Sequence, residues 1–192
     1  LKRSFDLLVS SVALVLSPLV LIPVAIGIKL SSPGPIFFKQ ERTGLRGETF
    51  FCYKFRTMRV NNDSDIQQAT KNDPRKTRFG NFLRKSSIDE LPQFFNVWKG
   101  EMSIVGPRPH MIKHTEIYSA LIDKYMLRHT ISPGITGWAQ VNGYRGQTDE
   151  LWKMEKRVEY DVWYAENWNF MLDMKIIILT IFNALRGEQN AF

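Results

Sequence analysis

The heptapeptide Ser86-Ser87-Ile88-Asp89-Glu90-Leu91-Pro92 places two carboxylates side by side, just ahead of a proline. Proline is tolerated in the first turn of a helix, where N–H groups lack partners anyway. A helix is therefore expected to start near Ser87 or Ile88, with Asp89 and Glu90 at its positive end. Adjacent carboxylates there can hold Mg²⁺ through oxygen ligands, and one of them can attack phosphorus. The same residues also suit a structural device, because Ser87 and Glu90 have the Ser-x-x-Glu spacing of a capping box. The local sequence is open to both readings.

A carboxylate that attacks a diphosphate needs the charge of its target neutralised, so basic residues should surround it. Lys54-Phe55-Arg56, Arg84-Lys85 and Arg108 supply them. Arg108 lies between Pro107 and Pro109, which fix the backbone on both sides and suit a guanidinium for two-pronged phosphate binding. Each base taken singly also fits a solvated surface charge. Gly134 to Trp138 and Asn142 to Gly146 set glycines beside aromatics and Arg145, as phosphate-approaching loops or as simple turns. Neither GxxxxGK[ST] nor GxGxxG occurs, which argues against a P-loop and a dinucleotide fingerprint. His110, His114 and His129 make no convincing metal set and read as capping or surface residues. Cys52 is the single cysteine; it excludes an internal disulfide and any Cys-based zinc site, and it reads as packed in an apolar strand.

These groups must be carried by 192 residues, room for one compact domain and a membrane-associated segment. No charge occurs from Leu7 to Ile28, long enough to cross a bilayer at roughly 20 residues per span. Pro18 and Pro23 interrupt this stretch. A sharp break is expected at Ser17-Pro18, where the serine hydroxyl can bond a nearby carbonyl. Lys2 and Arg3 before the run, and Lys29 and Lys39 after it, place positive charge at both ends, as two cytoplasmic ends would. The expectation is a helix–break–helix that enters the membrane and returns on the same face; a kinked single span is the alternative. The net charge of +7 suits an anionic partner, whether nucleic acid, acidic lipid or phosphorylated substrate.

Beyond the breaker cluster Ser31 to Pro35, short strands are expected at Ile36–Lys39 and Phe50–Phe55, around a glycine-bearing turn from Thr43 to Gly47. The polar stretch from Asn61 to Arg78 reads as a mobile surface loop. Helical spacing follows at Phe79–Lys85 and from Leu91 to Trp98, with Gly100 as a stop. One amphipathic helix is expected over His110–Arg128, a charged one over Asp149–Tyr164, and an apolar-faced one over Leu172–Leu185 that lies on the membrane surface or in the core. The fold class is α/β: a small irregular sheet with surrounding helices, residues 1–30 forming the re-entrant membrane helix and 31–192 the catalytic domain.

In order along the chain, Ser17-Pro18, Ser32-Pro33-Gly34-Pro35, Gln40 to Gly44, Lys54 to Met58, Asp89-Glu90-Leu91-Pro92, Gly106 to Pro109 and Pro133 to Trp138 resemble the catalytic domain of the bacterial sugar transferases, the monotopic phosphoglycosyl transferases. The resemblance runs from Lys2 almost to Phe192. It implies a bacterial inner-membrane enzyme with its catalytic domain on the cytoplasmic face, Mg²⁺ dependence, and a two-step transfer of a hexose-1-phosphate from a UDP-sugar to undecaprenyl (polyprenyl) phosphate. Asp89 would be the nucleophile, UMP the leaving group, and Glu90 the partner that binds metal or positions reactants. Lys54, Arg56, Arg84 and Arg108 would bind phosphates, Arg145 would reach the nucleotide, and Asp161 would join Asp89 and Glu90 at the metal.

Resemblance to longer members favours glucose or galactose as the sugar, with N-acetylated sugars open. It leaves room for a homodimer and implies no nucleic-acid partner. Because those members carry further spans ahead of this domain and the chain begins at Leu1, it is expected to be the catalytic part of such a protein. The rival expectation is a non-catalytic membrane-bound scaffold that binds acidic lipid or RNA. It accounts for the charge and the apolar start, but not for Asp89-Glu90 among rigidly placed cations.

Overall fold

A computed structural model describes residues 1–61, 68–70, 72–146, 148 and 150–186. Two helices open the chain, α1 (Lys2–Leu16) and α2 (Pro18–Ser31), and they meet at a bend of 58°. The break falls where expected. Pro18 has no N–H to offer the preceding turn, and the Ser17 hydroxyl donates to the Leu14 carbonyl at 2.8 Å. Among the described residues no single helix is long and apolar enough to cross a membrane; this bent pair together meets the length and composition of a span.

Both ends of the pair dock on one body. At the start of α1, Lys2 bonds Asp173, Arg3 donates to the Val97 and Trp98 carbonyls, and the Asp6 carboxylate accepts the Ile104 N–H. At the end of α2, Val24 and Ile28 are buried with Phe55 and Leu83. Between these anchors Val15, Leu16, Leu19 and Ile22 are exposed, a large apolar tip of the kind that marks a membrane or protein contact.

Among the described residues the body holds two two-stranded sheets, where a single small sheet was expected. Strands β1 (Phe37–Thr43) and β2 (Thr49–Phe55) form an antiparallel hairpin in which Phe38 faces Lys54 and Gln40 faces Cys52. Both strands are longer than their apolar residues suggested, because the hairpin register carries the polar residues of β1 along. Strand β3 (Ser103–Val105) pairs parallel with β4 (Gly134–Thr136). At this seam the backbones approach closely: a Cβ on Gly106 would lie 2.2 Å from the Ser132 carbonyl oxygen, so only glycine fits.

Helices surround the sheets: α3 (Arg78–Lys85), α4 (Gln93–Lys99), α5 (Ile112–Leu121), the short α6 (Trp138–Val141), α7 (Leu151–Asn167) and α8 (Phe170–Arg186). Gly100, at φ 92°, closes α4 as expected. The single helix expected over His110–Arg128 is instead α5 followed by a 3-10 turn over Tyr125–His129, with Lys124 left-handed between them at φ 58°. Breaking the helix lets Tyr125 and His129 turn inward, where both are buried. The expected surface loop from Asn61 is described only at 61, 68–70 and from 72 on, where Met58 bridges Lys76; its other residues lie outside the described residues, as does Asp149 before α7. Helix α8 buries Leu172 and Ile176 in the core while Met171, Ile178, Phe182 and Leu185 are exposed.

Candidate active site

Asp89 and Glu90 sit on a three-residue 3-10 turn, Ile88–Glu90, not at the start of an α-helix. The α-helix begins four residues later at Gln93, with Pro92 as its N-cap. Ser87 is left-handed, at φ 57°, and caps nothing with its side chain. Its hydroxyl instead accepts from Arg145 Nη2 at 2.7 Å. The capping-box reading is thereby removed. A non-glycine residue in this backbone region costs on the order of 1 kcal/mol or more, and here the turn that carries it delivers both carboxylates to one cavity.

That cavity encloses about 300 Å³ and is walled by the β1–β2 hairpin, the Thr57–Asn61 segment, the Asp89 turn and the tract after β3. Lys54, Arg56, Arg84, Asp89, Glu90, Arg108 and Arg145 all line it. The elements that hold them are tightly specified. Arg108 follows Gly106 and Pro107, whose N–H and carbonyl bond Thr136 and Gly134 across the seam at 2.8 and 2.9 Å. Gly80 lets α3 press on Thr57, since a Cβ there would lie 1.9 Å from the Thr57 carbonyl oxygen. That contact brings Arg84 Nε within 2.8 Å of the Thr57 hydroxyl.

The two carboxylates have opposite surroundings. Glu90 Oε1 receives Lys54 Nζ and Arg108 Nη2, each at 2.6 Å, and Arg145 stands 3.6 Å from Oε2. Burial pushes its acidity one way, and Arg108, Lys54 and Arg145 pull it the other, holding Glu90 well below the usual carboxylate range. Asp89 is equally buried yet makes no hydrogen bond or ion pair among the described residues. Burial dominates there and raises its pKa, with the negative Glu90 adding to the rise and Lys54, Arg84 and Arg108 opposing it. Asp89 is thus an unsolvated, unpaired carboxylate facing a cation-rich space, and Glu90 is the counter-ion that gathers the cations.

The remaining expected site residues divide. Arg84 bonds only Thr57, leaving both its Nη amines without hydrogen bonds among the described residues. Arg56 lines the cavity, but its two Nη groups donate to the Pro33 and Ser32 carbonyls at 2.6 and 2.8 Å. Its guanidinium therefore ties the end of α2 to the hairpin instead of presenting a fork to phosphate. Asp161 does not line the cavity. It is buried against Arg128 at 2.6 Å, and Arg128 also donates to the Arg108 carbonyl at 2.7 Å. Asp161 thus supports the backbone of Arg108 from behind, and the structure does not bring it to Asp89 and Glu90. No group of three or more His, Cys, Asp or Glu side chains gathers as a metal cage among the described residues.

Sequence reasoning missed Gln40, Arg42, His110, His114 and Arg157, which also line the cavity. Two signals pointed to them. Gln40 and Arg42 share the face of β1 that carries Phe38, and Arg157 lies four residues before Asp161. Arg157 is buried and donates to the Tyr144 and Gly146 carbonyls, which fixes the loop bearing Arg145. His110 is not a surface residue: it is buried, and burial first, then the charges of Arg128 and Arg157, lower its pKa well below that of a free imidazole. Cys52 is buried in β2, as expected.

Among the described residues, then, a buried carboxylate without a bond faces clustered cations, on a body that carries an exposed apolar helical tip. Residues 1–187 match the bacterial sugar transferase family, and the chain belongs to it. It is similar to the "UDP-glucose:undecaprenyl-phosphate glucose-1-phosphate transferase" of Escherichia coli (strain K12), 55% identical over 183 residues that make up 95% of this chain and 39% of that protein. The Xanthomonas campestris pv. campestris protein of the same name is 56% identical over 194 residues, 100% of this chain and 40% of that one. The chain thus spans about two fifths of the length of these curated relatives. The "Exopolysaccharide production protein PSS" of Rhizobium leguminosarum bv. phaseoli is similar at 46% identity over 195 residues, covering 98% of this chain and 97% of that protein.

Proposed function

We propose that the chain transfers a hexose-1-phosphate, glucose-1-phosphate in the first instance, from a UDP-sugar to undecaprenyl phosphate, with Asp89 as nucleophile. One observation carries the reading: among the described residues Asp89 is buried without a partner, while Lys54, Arg108 and Arg145 stand around its neighbour Glu90. A purely binding surface gives no reason to keep a carboxylate in that state, which disfavours the scaffold alternative. The names of the relatives support the substrates.

In the first step an Asp89 carboxylate oxygen attacks the sugar-bearing phosphorus of the UDP-sugar. The bond from that phosphorus to the bridging oxygen breaks, UMP leaves with the electron pair, and an acyl-phosphate joins the sugar phosphate to Asp89. In the second step a phosphate oxygen of undecaprenyl phosphate attacks the same phosphorus and expels Asp89 as carboxylate, leaving the lipid-linked diphosphate sugar. Arg84, Lys54 and Arg108 neutralise the non-bridging oxygens, and incoming phosphate takes over the cations that Glu90 holds beforehand. Two carboxylates without an all-protein cage suit Mg²⁺, which binds through one or two carboxylates and substrate phosphates. Asp89 and Glu90 would hold it, and when bound it supplies further neutralisation of the diphosphate.

Along β1 the lining runs from Phe37 and Phe38, beside the α2 terminus that Arg56 grips, to Gln40 and Arg42, beside His110; we read the first stretch as an apolar end and the second as a polar end. The four steps of β1 from Phe38 to Arg42 span about 13 Å. The apolar end suits the first isoprene units of the lipid, and the polar end the sugar nucleotide. Docking of both ends of the α1–α2 pair on one body supports the re-entrant reading over a span, and with it a cytoplasmic-face enzyme of the bacterial inner membrane. The test is UMP release from UDP-glucose with Mg²⁺ in lipid, with and without undecaprenyl phosphate, set beside UDP-galactose and UDP-N-acetylated sugars. Label from the sugar phosphate should be trapped on Asp89 when the acceptor is withheld; label on another residue, or none, sinks the mechanism.

A further inference from the structure

Beside Arg42 the cavity wall holds a buried ring nitrogen that has no partner among the described residues. His110 is 3% exposed and lines the cavity. Its Nδ1 lies 2.7 Å from the Tyr125 hydroxyl, while its Nε2 is buried with no hydrogen-bond partner. Buried polar groups are paired in more than about nine cases in ten, so this one calls for a reason. His129 is similarly without partners at both ring nitrogens, but it does not line the cavity. His110 alone of the two sits where a ligand supplies the missing atom.

The tautomer follows from the partners. Among the described residues the buried Tyr125 hydroxyl has His110 Nδ1, at 2.7 Å, as its one hydrogen-bond partner, so its hydrogen is directed there. Nδ1 is then the acceptor, and the ring proton resides on Nε2. The ring stays neutral because burial, then Arg128, Arg157, His114 and Arg42, all oppose a second proton. What faces the polar end is a neutral N–H, held in one orientation by Tyr125, two residues beyond Arg108.

The geometry points to His110 as a recognition residue that donates its Nε2–H to a neutral acceptor oxygen of the sugar nucleotide, either a sugar hydroxyl or a pyrimidine carbonyl. This rests on the reading of the polar end as the sugar-nucleotide site. A neutral imidazole N–H is matched to an uncharged oxygen, while the phosphates fall to Lys54, Arg84 and Arg108. His110 thus adds selectivity for the organic part of the donor and none for its charge.

The wild-type chain in lipid nanodiscs with Mg²⁺ gives the first measurement. Nitrogen-15 NMR should find His110 in the Nε2–H form from pH 5.5 to 8, and saturation with UDP-glucose should shift that resonance. In transfer assays His110→Gln, which keeps an N–H near the same place, should hold KM for UDP-glucose within about threefold. The double change His110→Phe with Tyr125→Phe, which strands no hydroxyl, should raise KM about tenfold, the usual effect of one neutral hydrogen bond, with kcat little changed. If UMP inhibition weakens in parallel, the acceptor is the pyrimidine carbonyl. If UMP inhibition holds and a deoxy-sugar nucleotide loses its disadvantage in the double variant, the acceptor is a sugar hydroxyl. An unmoved Nε2 resonance, or a double variant with wild-type KM for UDP-glucose, overturns the inference while leaving the proposed transfer intact. A wild-type chain that transfers nothing from any UDP-sugar removes the underlying reading instead. Should the double variant not fold, the wild-type NMR titration decides alone.

Discussion

Two buried ionic clusters in this molecule use similar residues to opposite ends. At the base of α1, Lys2 donates to Asp173 at 2.6 Å and to the Val105 carbonyl at 2.8 Å, and Tyr164 donates to the other Asp173 oxygen at 2.6 Å. Trp168 completes Asp173 from a third side. One cation meets one anion there, and the remaining lone pairs are taken. Around Asp89 the count is unbalanced: Lys54, Arg84, Arg108 and Arg145 face two carboxylates, and one of these carries no bond at all. A closed cluster fixes where elements dock. An open one, in which cations and a bare carboxylate stay desolvated without full pairing, stores an affinity that a phosphorylated substrate can use.

The comparison breaks first at Asp89. Asp89→Asn keeps shape and removes the proposed nucleophile, so transfer should fall by at least about 10³-fold, the scale seen when a covalent catalyst loses its reacting atom. The assay is undecaprenyl-dependent UMP release, and turnover near the wild-type rate refutes the assignment. Glu90→Gln should cost less, about 10²-fold, because it disperses the cations without removing the attacking group. It should also lower the melting temperature, since Lys54 and Arg108 would be left buried without a full counter-charge. A Gln variant as stable as wild type would mean that Glu90 does not organise those cations.

The closed cluster should respond in stability alone. Asp173→Asn leaves Lys2 part-buried and unpaired, and breaking such pairs costs about 3–5 kcal/mol. Denaturant unfolding should record that loss, while KM for the UDP-sugar in the folded fraction stays within about twofold. A KM change as large as that from Glu90→Gln would show that the two clusters are not separate in function.

The same contrast explains what could be read from the sequence. The Ser17-Pro18 break, the two hairpin strands and the rigid Gly106-to-Pro109 tract were legible because each depends on local backbone chemistry: a missing N–H, alternation, a locked φ; the short parallel strands β3 and β4 were not. Gathering of Asp89 with Lys54, Arg84 and Arg108 was legible from the need to neutralise phosphate. Features that depend on distant partners were not. Lys2 and Arg3 look like flanking charges at a membrane, yet they bond residues 94 to 171 positions away. Arg56 looks like a phosphate ligand and is consumed by two carbonyls. Asp161 looks like a third metal ligand and is consumed by Arg128. The left-handed Ser87 defeats a capping-box pattern that its spacing matches, because the hydroxyl belongs to Arg145 from 58 residues on. The helix expected from His110 is interrupted at Lys124 because burying Tyr125 and His129 outweighs continuing the amphipathic repeat.

The smallest effect is the most discriminating, because it gives adjacent carboxylates opposite signs. The pKa of Asp89 is raised above its ordinary 3.8 by burial. Between that value and the raised one, the folded chain therefore holds more protons than the unfolded chain, and stability falls as pH rises. Asp89→Asn removes this penalty. At pH 7 it should melt a few degrees above wild type, the scale of the ~0.5–2 kcal/mol commonly gained when a strained functional group is replaced. The gap should close as pH drops below 3.8. Glu90 is held well below its ordinary 4.5, so its contribution is present above that value and fades as acid approaches its depressed pKa. The melting difference between Glu90→Gln and wild type should thus shrink on acidification from the opposite side. Calorimetry of both variants from about pH 2.5 to 8 reads the two signs directly, and if Asp89→Asn melts below wild type at pH 7, Asp89 is not the unpaired carboxylate of an open cluster.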